Sequence, residues 1–166
     1  MTTVTPNLPE TVMIRTLDNQ VMEVTGKLID ESQVANWMYE THRNTGATGA
    51  MFLPVQSAHL RHALEALALC DLDTPHVLFD RDEREAFTQA NQPVMDYFHS
   101  QPNEAMVGIH SVMDVLSMPR LGDLWIVYFL DLTHQISPEE LRELIIMYNL
   151  TFDFAPQFAA GTADAA

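Results

Sequence analysis

The chain has 166 residues, with 23 acidic side chains against 8 lysines and arginines, a formal net charge of -15 and 47% apolar residues. That balance provides material for a packed core and works against nonspecific binding to nucleic-acid phosphates, which so acidic a surface repels. No apolar run reaches the roughly 18 residues of a membrane span, and Met1–Glu10 has neither the basic start nor the apolar stretch of a secretory leader.

Val12, Ile14 and Thr16 alternate with Met13, Arg15 and Leu17, Asp18-Asn19 supplies turn residues, and Gln20–Thr25 returns, which predicts an N-terminal β-hairpin. A helix is expected next, capped by Asp30 with Gln33 at the capping-box position and with Val34, Trp37, Met38 and Thr41 on one face. The loop from Asn44 to Gly49 ends it, and Met51–Pro54 is a short extended piece. Ser57 opens a second helix with an apolar stripe of Leu60, Ala63, Leu64, Leu67 and Ala68.

After Pro75, His76–Phe79 has the pattern of a buried strand, and Arg81–Ser100 is helical on either side of Pro93. Met106–Met118 fits a helix through Ile109, Val112, Met113 and Leu116, and a strand through Val107, Ile109, Met113 and Val115. Leu124–Leu130 is continuously apolar and rich in β-formers, which predicts a central strand over about 124–131, covered on both faces. Ser137-Pro138-Glu139-Glu140 starts a helix with a capping box, and its buried stripe is Leu141, Leu144, Ile145 and Tyr148. Ile146 and Met147 make that helix apolar on a second side, which calls for deep burial or a partner. The expected fold class is α+β, a single domain over residues 10–158 with a mixed sheet and several helices. An extended N-terminal arm over 1–9 and a tail over 159–166 flank it.

Catalytic constellations are sparse. His59, His62 and Glu65 follow one another at intervals of three, a spacing that suits metal ligands on a helix, but they sweep away from the apolar stripe and read as a solvated face. His134 follows Asp131 by three residues, a pairing equally suited to a turn before a helix cap. Cys70 ends an apolar helix beside Asp71 and Asp73, whose charges raise a thiol pKa and make a poor nucleophile. Gly46-x-x-Gly49 lacks the lysine of a P-loop, Lys27 being the single lysine of the chain. No catalytic residue, cofactor or metal is therefore assigned. The one cysteine excludes an internal disulfide and fits a reducing compartment. The acidic excess is -5 over residues 1–79 and -10 over residues 80–166, scattered rather than aligned as in a nucleic-acid mimic.

The stretch from Val77-Leu78-Phe79-Asp80 through Ala90-Asn91 resembles the opening of a PAS domain, and Tyr128-Phe129-Leu130-Asp131-Leu132-Thr133 before a Glu-rich helix is similar to the exit of one. The resemblance implies a small-molecule-sensing module. It covers the stretch from His76 to Leu132, shorter than a full PAS domain, and implies no particular ligand-binding residue. A sensor or small enzyme of this kind would have its pocket beside the central strand, near His110, Trp125, Tyr128 and His134.

The favoured expectation is a non-enzymatic interaction or assembly subunit, self-associating or binding a protein partner, with no membrane partner. Its contact residues are expected at the apolar C-terminal helix and tail: Tyr148, Phe152, Phe154 and Phe158. The preference for Arg over Lys and the many alanines suggest a bacterial or phage accessory protein, cytoplasmic or virion-associated.

Overall fold

A computed structural model describes residues 7–74, 76 and 80–150. Among them the class is α+β: a small mixed sheet and eight helices. The chain divides into two compact units, Met1–Leu132 and Thr133–Ala166.

The first unit opens with the expected hairpin, β1 (Thr11–Arg15) and β2 (Val21–Thr25), paired antiparallel with Arg15 opposite Val21 and Thr11 opposite Thr25. Asn19 takes a positive φ of 59° in the turn, a conformation asparagine tolerates better than most residues. The short strand β3 (Met51–Phe52) joins the other edge of β1 in parallel, giving the order β2-β1-β3. Ile14, Val24 and Met51 face the core, while Met13, Arg15, Val21, Glu23 and Phe52 face outward.

Two helices follow where one was expected: α1 (Lys27–Glu31) and α2 (Gln33–Asn44). Asp30 does not cap the second. That role falls to Ser32, whose hydroxyl accepts the Ala35 N–H at 2.9 Å and donates to the Leu116 carbonyl at 2.6 Å. The Gln33 and Val34 amides donate to the carbonyls of Ser117 and Leu116. The N-terminus of α2 is thereby satisfied by the end of a helix 84 residues away. Only Ala35 of α2 is buried, and Trp37, expected on its core face, is 66% exposed.

The helix α3 (Ser57–Leu69) buries Ser57, Leu60, Ala63, Ala66 and Leu67, a stripe turned slightly from the expected one so that Ala68 is exposed. It crosses α6 (Asn103–Val115) closely, because Gly108 offers no Cβ where the His59 ring lies; a methyl there would come within 2.7 Å of the imidazole. The open choice over Met106–Met118 thus resolves as helix. Between these two, α4 (Arg81–Ala90) starts at Asp80 with a full capping box, and α5 (Gln92–Ser100) carries Pro93 in its first turn. The break between them lies at Asn91, which is fully buried: its side-chain oxygen accepts the Asp71 N–H and its amide donates to the Phe87 carbonyl, each at 2.9 Å. The strand expected at His76–Phe79 falls on residues 77–79, outside the described residues.

The expected central strand over 124–131 is a helix, α7 (Pro119–Thr133). Its apolar run hid a helical period: Leu121, Leu124, Trp125, Tyr128 and Phe129 are buried, whereas Ile126 and Leu130 are each 51% exposed. An unbroken apolar run cannot by itself distinguish a buried strand from a helix, and here the pattern extends over 15 residues, too long for an ordinary strand. Tyr128–Thr133, which resembles the exit of a PAS domain, forms the last turns of this helix, while the strand expected at the opening of that resemblance falls on residues 77–79, outside the described residues.

The second unit holds α8 (Pro138–Met147), capped by Ser137 with Glu140 closing the box as expected. Leu144 and Tyr148 are buried, Leu141 and Ile145 half-buried, and Ile146 is 78% exposed.

Candidate functional site

The histidines are distributed among separate pairs. His59 is half-buried over Gly108, not in the solvated face expected. His62 lies 3.6 Å from Glu65, and the Tyr97 hydroxyl donates to Glu65 at 2.6 Å. Burial and that neighbouring carboxylate push the Tyr97 hydroxyl pKa upward, away from any role as an acid near neutrality. His76 Nε2 sits 2.7 Å from Asp123, and His99 Nε2 sits 3.1 Å from Asp131. The carboxylate that the sequence placed near His134 therefore has His99 as a partner, while His134 is exposed in the turn before α8. His110 packs against Trp125 with ring centroids 4.5 Å apart, and burial lowers its pKa. Among the described residues no three His, Cys, Asp or Glu side chains form a group able to hold a metal ion.

A cavity of about 300 Å³ opens between the end of β2 and the C-terminal turn of α3, lined by Thr25, Lys27, Leu67, Cys70, Asp71 and Asp73 among others. None of the aromatic or histidine residues expected around a ligand lines it. Its thiol is poorly suited to chemistry, because Cys70 is pushed up to about 12, first by burial and only secondarily by carboxylates. The sequence anticipated the direction of this shift but attributed it to Asp71 and Asp73. The nearby Arg120 pulls the other way, though it is engaged elsewhere: its Nε donates to Glu31 at 2.9 Å and a terminal nitrogen to the Asp71 carbonyl at 2.6 Å. This buried pair ties the first turn of α7 to α1 and to the loop after α3.

The most coherent surface feature is the outer face of the sheet. Directly paired residues point to the same side, so Val21, Arg15 and Phe52 form one row across β2, β1 and β3. Met13 extends it along β1, beside Glu23, and Leu17 stands just past the strand end. Met13, Leu17, Val21 and Phe52 are 44–54% exposed. Arg15 leans toward the turn, donating to Asn19 Oδ1 at 2.7 Å, which leaves its aliphatic stem between Val21 and Phe52. Glu23 accepts the Thr11 hydroxyl at 2.7 Å. The hairpin is anchored from behind: Asp18 accepts the Ser57 amide at 2.9 Å, its hydroxyl at 2.5 Å and the Thr16 hydroxyl at 2.6 Å. Those donors, the Ser57 hydroxyl foremost, hold the Asp18 carboxyl well below the usual carboxylate range.

Of the contact residues named from sequence, one falls among the described residues. Tyr148 is buried at the C-cap of α8, where Ile146 and Met147 supply the exposed apolar surface. Phe152, Phe154 and Phe158 lie outside the described residues. The outer sheet residues were legible as alternation, but which side would stay open was not. No protein-family model matches the chain, and no curated protein sequence matches it. Among the described residues no helix is long and apolar enough to cross a membrane.

Proposed function

We propose that this protein is a non-enzymatic interaction or assembly subunit that binds protein through the outer face of its β-sheet. The observation supporting this reading is the row Val21–Arg15–Phe52 with Met13 and Leu17, an apolar patch in a chain of net charge -15. Clustered exposed apolar side chains mark contact surfaces far more than single ones do. Ile146 and Met147 give α8 a second apolar surface, in keeping with a contact at the C-terminal helix as well. In this reading the setting is the bacterial cytoplasm, or a virion if the chain is viral.

The test compares the wild type with a Val21→Ser, Phe52→Ser double variant, by light-scattering mass and by affinity capture from the native host with both proteins as bait. A self-complex or a specific co-purifying protein that disappears in the variant supports the reading. An unchanged mass and an unchanged set of bound proteins would refute it for this face.

A further inference from the structure

The cavity between the end of β2 and the C-terminal turn of α3 is lined by charges of both signs. Lys27, the single lysine of the chain, lines it from the β2 end, and Asp71 and Asp73 line it from the α3 end. The Lys27 ammonium and the Asp73 carboxylate have no ion pair or hydrogen bond among the described residues, with each other or with any other group. Unpaired charges on an open surface are simply hydrated. Opposite charges that share one concavity of about 300 Å³ are placed to hold the two ends of a dipolar ligand.

Both ends of the cavity are fixed from behind, which lowers the ordering cost of binding. The Asp71 amide donates to the buried Asn91 at 2.9 Å, and the Asp71 carbonyl accepts Arg120 at 2.6 Å. Hydrogen bonds from Thr74 foremost hold the Asp71 carboxyl below its ordinary value, so it is ionised near neutrality. At the β2 end the Gly26 amide donates to the Glu10 carbonyl at 2.9 Å. The Lys27 amide donates to the Thr25 hydroxyl at 3.3 Å, which leaves that O–H able to donate in turn. Leu67, 1% exposed, supplies apolar wall, and the Cys70 thiol, neutral because burial raises its pKa, adds no charge. A lone anion here would face two carboxylates in a chain of net charge -15, and a lone cation would face Lys27.

We infer that this cavity binds a small zwitterion, with its carboxylate at Lys27 and the Thr25 hydroxyl, its ammonium at Asp71 and Asp73, and an apolar frame against Leu67. Aliphatic amino acids and short ω-amino acids share this chemistry, and the cavity lies at the small end of the range for ligand sites. The site is independent of the interaction reading, since neither Val21 nor Phe52 lines it.

The full-length, isotope-labelled protein is titrated with L-leucine and with ε-aminocaproate, and binding is followed through the amide resonances of Thr25–Lys27 and Cys70–Asp73. Isocaproate, which lacks the ammonium, and isoamylamine, which lacks the carboxylate, are the controls. At least one zwitterion is expected to move these amides and to bind about tenfold more tightly than either control. The better of the two tells an amino acid from an ω-amino acid. Lys27→Met and Asp73→Asn, checked for native circular dichroism, should each weaken it about tenfold. Lys27→Met should also erase the preference over isoamylamine. Arg43→Met, which removes a cation outside the cavity, should leave binding within about twofold. Controls that bind as tightly as the zwitterions, or binding indifferent to Lys27→Met and Asp73→Asn, overturn the inference. So does the absence of any shift at these amides with both zwitterions at about 10 mM.

Discussion

Removing Glu31 should expose how strongly the first unit depends on one buried ion pair. The Arg120 and Glu31 side chains are 5% and 14% exposed and meet at 2.9 Å. In Glu31→Ala the guanidinium keeps the Asp71 carbonyl at 2.6 Å but loses its counter-charge in a site that water barely reaches. Stranding one member of a buried pair costs about 3–5 kcal/mol, a large share of the about 5–15 kcal/mol that holds a domain folded. At about 2–4 °C per kcal/mol for a chain of this length, the melting temperature should fall on the order of 6–20 °C.

Removing both charges should cost much less. Glu31→Leu combined with Arg120→Met leaves no uncompensated ion, only the Asp71 carbonyl without its donor, a loss of about 1 kcal/mol. Urea denaturation followed by circular dichroism of Glu31→Leu, Arg120→Met and their combination gives the three free energies of a double-mutant cycle. A single-variant loss below about 1 kcal/mol, as for an exposed pair, would refute the assignment. So would a double variant as unstable as the sum of the singles.

Three further perturbations test other parts of the fold. Asp18→Asn should lower stability near neutral pH and flatten the acid limb. The carboxyl is depressed in the folded state, so its stabilisation is present above the unfolded value of about 3.9 and is lost as pH falls below it; a pH–melting curve identical to wild type would contradict this. Gly26→Ala should destabilise by about 1–3 kcal/mol, because the new methyl runs into the Pro9 carbonyl beside the Glu10 oxygen that the Gly26 amide bonds at 2.9 Å; a denaturant midpoint matching wild type would show that this corner can yield. Cys70 should react slowly with iodoacetamide in the folded protein near pH 8. Its raised pKa favours the folded state below the unfolded value of about 8.5, and that contribution is lost as pH rises toward 12, a decline that Cys70→Ala should remove.

Local chemistry was the legible part of this sequence. The hairpin, the capping box at Ser137 and the loop with Gly46 and Gly49 at positive φ each follow from a few adjacent residues. What could not be read depends on distant partners. The 119–133 segment is apolar enough to suit either a strand or a helix, and its helical split between Leu124 and Ile126 shows only once the core is assembled. Ser32 outcompetes Asp30 as a cap because Leu116 accepts its hydroxyl from 84 positions away. The spacing of Trp37 places it with Val34, Met38 and Thr41 on one face of α2, yet it stands 66% exposed. The outer sheet face was missed for a related reason: alternation shows that a strand has two sides, not that one will remain uncovered.

The dependence of α2 on the end of α6 also bears on how the chain is made. A ribosome delivers the hairpin, α1 and the sequence of α2 well before Leu116 and Ser117, whose carbonyls receive the first amides of α2. Until those residues emerge, Gln33 and Val34 have no such acceptors, and Glu31 waits for Arg120. Everything from the hairpin through α6 is therefore synthesised before this junction can close. A nascent fragment stopping short of residue 116 would carry a solvated, frayed α2, open to chaperones and proteases. Acquisition of the native α1–α2 corner is tied to late synthesis, and the outer sheet face is displayed on a hairpin translated long before its support is complete.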